Sequence, residues 1–77
     1  MAQILSPLPG TFYRSASPDK PPYKADGDAV AAGEVIGLIE VMKSFHEVRA
    51  EMAGTNIRFL ADNEDPVMAG APLADLD

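Results

Sequence analysis

Apolar residues in this chain fall in short runs. Proline and glycine cut them at Pro7, Pro9, Gly10, Pro18, Pro21, Pro22, Gly27, Gly33, Gly54, Pro66, Gly70 and Pro72. Such punctuation predicts short strands and an all-β sandwich or barrel. Asp26-Gly27-Asp28 and Asp62-Asn63-Glu64-Asp65 are turn-type sequences. A calcium loop would need more oxygen ligands at alternate positions. One stretch competes with the strand reading. Glu34 to Ala53 has no proline, and Val35, Leu38, Met42, Phe45, Val48 and Met52 recur every three or four positions. That spacing fits an amphipathic helix. Against it stand β-branched Val35, Ile36, Ile39, Val41 and Val48 and an interior Gly37.

An internal repeat favours strands. Ile4-Leu-Ser-Pro-Leu-Pro-Gly10-Thr11 aligns with Val48-Arg-Ala-Glu-Met-Ala-Gly54-Thr55 at an offset of 44. Asp28 to Ile36 aligns with Asp65 to Leu73 at an offset of 37, continuing to Ile39 against Leu76 and Glu40 against Asp77. If 34–40 matches 71–77, both share one conformation, and Pro72 to Asp77 is an alternating segment too short for a stable helix. The chain therefore reads as one domain, 1–77, of two half-repeats, about 4–40 and 48–77. The first half carries seven extra residues between Thr11 and Asp28. The crossing between the halves centres on Val41-Met42-Lys43-Ser44, predicted as a hairpin with Met42-Lys43 at its tip. Tight hairpin turns favour Asn-Gly or Asp-Gly, because both central residues need positive φ. Methionine and lysine break that rule, which points to function at the tip, to a longer turn, or to Lys43 as simply a solvated tip residue.

Composition narrows the functions available. The 77 residues include no cysteine and one histidine, His46. Disulfides, cysteine-ligated metals and a thiol nucleophile are excluded, and so is a multi-histidine metal site. A domain this small has little spare core for a deep active site. The net charge is −6, and the six cations are scattered singly, so no basic patch suits nucleic acid or a membrane surface. No stretch is long enough to span a membrane, and Met1–Gly10 lacks the pattern of a secretory signal. Absent cysteines suit a reducing, cytoplasmic setting. A binding, carrier or interaction module fits better than an enzyme.

Glu40-Val41-Met42-Lys43, followed by Ser44-Phe-His-Glu47-Val48, resembles the attachment site of biotinyl carrier domains, commonly Glu-Ala-Met-Lys-Met. Ser6-Pro7 through Gly10-Thr11-Phe12-Tyr13-Arg14-Ser15, then Ser17-Pro18-Asp19-Lys20-Pro21 and Gly27-Asp28-x-Val30-x-x-Gly33, is similar to the biotin carboxyl carriers of acetyl-CoA carboxylases. The resemblance implies a flattened barrel-sandwich of two four-stranded antiparallel sheets. It also implies biotin attached covalently at Lys43, with Met42, Val41, Ser44 and Glu40 flanking the site or read by a biotin protein ligase. Biotin carboxylase and carboxyltransferase are the implied catalytic partners, and fatty-acid precursor synthesis the setting. An inserted thumb over the ring is implied at about 15–23, with Ser15, Ala16, Ser17, Pro18, Asp19, Lys20 and Pro21 as its core. Val41 departs from the usual alanine, and Ser44 from methionine or leucine. Met42 is either a ligase contact or a core-edge side chain, and Glu40 and Glu47 are either ligase determinants or surface carboxylates. A lone His46 in a hairpin arm is weak evidence for a base. The alternatives are a carrier for another acyl-CoA carboxylase, a lipoyl domain, which usually carries Asp-Lys-Ala at the tip and lacks a thumb, or an unmodified β interaction module.

Overall fold

The computed structural model describes residues 2–17 and 19–77. Seven strands form, β1 (Ala2–Leu5), β2 (Gly10–Tyr13), β3 (Val35–Val41), β4 (Ser44–Arg49), β5 (Arg58–Phe59), β6 (Asp65–Val67) and β7 (Pro72–Leu76), with no helix among the described residues. One sheet has the order β4-β3-β2-β6 and the other β1-β7-β5, and every pairing is antiparallel. The body is flattened, 32 × 27 × 19 Å.

The second sheet differs from the expected four strands. Its fourth place is held by a single bridge, Val30 to Gly54. Backbone turns at Ala25–Asp28 and Ala31–Glu34 bracket Val30, leaving no length for a longer ladder.

The repeat reappears as a hydrogen-bond pattern. Thr11 pairs with Glu40 in the first half, and Thr55 and Asp77 exchange backbone bonds of 3.0 and 2.9 Å in the second. Gly10 pairs with Val67, while Gly54 and Val30 exchange two bonds of 2.9 Å. Each half thus lends a segment to the other's sheet. The turns match as well. The Asp28 amide bonds to the Ala25 carbonyl and the Asp65 amide to the Asp62 carbonyl, while each aspartate side chain accepts from the first residue of its turn at 2.9 Å.

Core positions follow the same symmetry. Ile36 and Leu73, Ile39 and Leu76, and Ile4 and Val48 are repeat-mates, and all are buried. Phe12 and Ile57 are fully buried beside them. Strand β3 lies between β4 and β2 and is buried from Ile36 through Ile39, on both faces. Double burial removes the alternation expected of a half-exposed strand. The helix-like spacing of 34–53 arises because exposed Met42, Phe45 and Met52 fall in step with buried Leu38 and Val48. Gly37 is needed there, because an added Cβ would lie 2.6 Å from the Phe12 ring.

Gly33 and Gly70 are repeat-mates with φ of +83° and +85° and open space around them. Replacing either with alanine meets no neighbour and strains only the backbone. Gly33→Ala and Gly70→Ala should each lower unfolding free energy by about 1–2 kcal/mol, and by the same amount. Urea denaturation of the two variants checks this, and a clear inequality would contradict the symmetry.

Candidate functional site

The β3–β4 register pairs Ile39 with His46, Glu40 with Phe45 and Val41 with Ser44. Only Met42 and Lys43 remain to turn the chain, with φ of 49° and 67°. These are the left-handed conformations of a two-residue hairpin turn. Neither residue is glycine, so each carries roughly 1–2 kcal/mol of backbone strain. The tip predicted from the repeat is therefore present, and it is the short turn rather than a longer one.

Met42 is 93% exposed, which excludes the core-edge reading. Lys43 and Ser44 are exposed, and Val41 is half-buried. Among the described residues no hydrogen bond or ion pair holds the Lys43 ammonium. Lys24 provides the contrast, since its Nζ lies 2.8 Å from Glu34 and donates to the Ala29 carbonyl at 3.0 Å. Glu47 pairs with Arg49 at 2.6 Å, and His46 is an exposed strand residue opposite Ile39.

Glu40 is half-buried and accepts a hydrogen bond from the Tyr13 hydroxyl at 3.0 Å. That bond, helped by desolvation and by the charges of Glu40 and Glu64, holds the Tyr13 hydroxyl above its ordinary pKa. Tyr13 is thus a neutral donor at physiological pH. Its ring packs against Phe45, with centroids 5.9 Å apart.

The segment 15–23 closes on itself. Ser15 bridges Pro22, and the Tyr23 amide donates to the Arg14 carbonyl at 2.9 Å. Inside the loop the Lys20 amide donates to the Ser17 carbonyl at 3.1 Å, and the Ser17 hydroxyl to Asp19 at 2.6 Å. Pro18 lies outside the described residues. Arg14 fastens the base of this loop. Its guanidinium stacks 4.1 Å from the Phe59 ring centre and donates to the Lys24 carbonyl at 3.3 Å, while its amide donates to Asn63 at 2.9 Å.

Between loop and hairpin lies a groove of about 410 Å³, lined by Tyr13, Ser15, Ala16, Ser17, Phe45, Asn63 and Glu64. It joins the inserted loop of the first half, the outer arm of the hairpin and a turn of the second half. A second groove, about 350 Å³, runs along β1 and the far end of β4 and includes neither tip nor loop residues. Two aromatic faces and several polar groups make the first groove suitable for a small ring with amide-like edges.

The structure brings Ser15, Ala16 and Ser17 to the same groove as Phe45, while Met42 and Lys43 project beyond it. Sequence reasoning assigned no separate role to Tyr13, Arg14, Phe45, Asn63 or Glu64. One signal was available. Glu64 occupies the repeat position of Gly27, and both have positive φ, 68° and 96°.

Glu34 titrates below the usual carboxylate range, chiefly because Lys24 hydrogen-bonds it, with the Ala31 amide assisting. A carboxylate with a depressed folded pKa adds stability above its unfolded pKa and loses it as pH falls through the folded value. Wild type should therefore exceed Glu34→Gln in stability near neutrality. Urea titrations from about pH 7 down to about pH 3 should show that gap closing. A gap that widens in acid would contradict the pairing.

A family model described as biotin-requiring enzyme matches residues 2–76. A biotin carboxyl carrier protein of acetyl-CoA carboxylase from Streptococcus pyogenes is 46% identical over 70 residues, covering 91% of this chain and 42% of the relative. The protein of that name from Chlamydia trachomatis is 44% identical over 91% of this chain and 43% of its own. A chloroplastic relative, biotin carboxyl carrier protein of acetyl-CoA carboxylase 2 from Arabidopsis thaliana, is 44% identical over 91% of this chain and 28% of its length. The chain thus spans less than half the length of these relatives.

Proposed function

The chain belongs to the family of biotin-requiring enzymes, and from that premise we propose that it carries biotin, joined through an amide to Lys43, as the mobile carboxyl carrier of an acetyl-CoA carboxylase. The observation that carries this reading is the tip itself: a strained two-residue turn presents an unpaired lysine ammonium on the most protruding part of a hairpin. An acylating ligase needs access to that nitrogen from several sides, and a turn of two residues offers it. Amide formation removes the Lys43 charge and deepens the net charge of −6 by one.

Biotin, when bound, supplies a ring nitrogen that takes up and gives up a carboxyl group. The residues of this chain supply position. Met42, Val41, Ser44 and Glu40 give the surface that a biotin protein ligase reads around Lys43. The closed loop, with Ser15, Ala16 and Ser17 at the groove and Asp19, Lys20 and Pro21 beyond, acts as a thumb that limits where the tethered ring rests. The groove is wide and polar enough for such a ring. The chain contributes no acid–base pair to the transfer, so catalysis falls to a biotin carboxylase and a carboxyltransferase. Tethering raises the local concentration of the ring at each partner. The names of the relatives favour acetyl-CoA as the acceptor. Absent cysteines are consistent with a reducing compartment, taken as cytoplasmic, and the chloroplastic relative belongs to a plastid. Among the described residues no helix is long and apolar enough to cross a membrane.

Co-expression with a biotin ligase should raise the intact mass by one biotinyl group and confer streptavidin binding. Lys43→Arg should abolish both. An unmodified wild-type mass would overturn the carrier reading, and a lipoyl-sized increase would reassign the cofactor.

A further inference from the structure

Tyr13 grips both arms of the hairpin. Its hydroxyl donates to Glu40 on β3 at 3.0 Å. Its ring meets Phe45 on β4 at 5.9 Å between centroids, tilted by 58°. Glu40 and Phe45 are directly opposed, one pair before Val41 and Ser44 close the turn. A single side chain from a third strand therefore ties the two arms together next to the strained residues. Strained backbone of this kind persists only where its surroundings over-determine it.

The tie is needed because the outer arm of the hairpin is weakly held next to the turn. Strand β4 is the edge of its sheet and pairs with β3 alone. Phe45 is 57% exposed and the first buried residue of β4 is Val48, so little core packing restrains the outer arm next to the turn. Tyr13, by contrast, stands on a firm base. Phe12 beside it is fully buried, and the Arg14 amide after it is bonded to Asn63.

We propose, granting that Lys43 is the modified residue, that Tyr13 is a positioning residue for it: the Tyr13–Glu40 hydrogen bond and the Tyr13–Phe45 contact keep Met42 and Lys43 in their left-handed turn, so that a ligase meets a preformed tip. A ligase that recognises one tip conformation sees its apparent affinity fall with the population of that conformation. Loss of the tie therefore raises KM for the chain and leaves kcat unchanged.

Tyr13→Phe tests this, because it removes the hydroxyl and keeps the ring. In the unloaded chain, amide exchange at Val41 and Ser44 should quicken about five- to tenfold, the factor expected for one hydrogen bond. Exchange at Leu73 to Leu76 in the other sheet should stay as in wild type. Ligase KM should rise in proportion to the share of the preformed tip that is lost, with kcat unchanged. Phe45→Ala should have the same local effect, and the double variant should fall short of the sum of the two. Glu40→Gln, which keeps an acceptor, should retain more protection than Glu40→Ala. Unchanged exchange at the tip, or faster exchange spread evenly over both sheets, would overturn the proposal. Exchange in the unloaded chain needs no biotin. A wild type that never accepts biotin would therefore sink the carrier reading while the tie is still decided.

Discussion

The close approach of Gly10 to β3 sets the geometry on which everything else rests. A Cβ there would come within 2.8 Å of Ile39 and nearer still to the Glu40 carbonyl oxygen. With no side chain in the way, β2 can lie against β3 so that Thr11 faces Glu40 and Phe12 faces Ile39. This register sends Phe12 into the core and brings Tyr13 within reach of Glu40. It also sets Gly10, the first residue of β2, level with Val41, the last of β3, so that Met42 and Lys43 protrude beyond this end of β2. Gly54 is the repeat-mate, with Leu76 Cβ at 3.0 Å and the Asp77 carbonyl oxygen at 3.1 Å from the same hypothetical atom. One constraint, used twice, closes the two halves on each other.

The proposed chemistry sits where that symmetry is broken. The hairpin tip occurs once, at the crossing between halves. The inserted loop occurs only in the first half and is held by Arg14, whose partners Phe59 and Asn63 belong to the second. Glu64 stands where the equivalent turn has Gly27, and it lines the groove. A symmetric framework supplies rigidity, and the asymmetric additions gather around one lysine. This division suits a carrier, which must stay compact while its tip visits larger partners.

Much of this was legible in the residues. Gly10-Thr11 against Gly54-Thr55, and Glu40 against Asp77, marked the two halves, while the facing pairs Thr11–Glu40 and Thr55–Asp77 emerge only in the fold. The tip was legible because Met42-Lys43 violates turn preference at the crossing point. Helix and strand could not be separated for 34–53 from spacing alone, because β3 is buried on both faces and carries no period of two, and because exposed Met42, Phe45 and Met52 fall in step with buried Leu38 and Val48. The resemblance of Glu40 to Val48 to a known attachment site made that choice. The ties of Tyr13 and Arg14 were not legible. Arg14 bonds to Asn63 across 49 residues and Tyr13 to Glu40 across 27, contacts that no local pattern encodes. Nor could the sequence show that Val30 would make a bridge rather than a strand, since that depends on how tightly two flanking turns close.

As a carrier, the fold singles out one lysine of three. Lys24 is engaged by Glu34 and Ala29, Lys20 sits on the inserted loop, and Lys43 stands alone at the tip. Peptide mapping by tandem mass spectrometry, after loading by a biotin ligase, tests this directly. Biotin is expected on Lys43 alone, with Lys20 and Lys24 unmodified. Biotin found on Lys20 or Lys24, or distributed among the three, would contradict it.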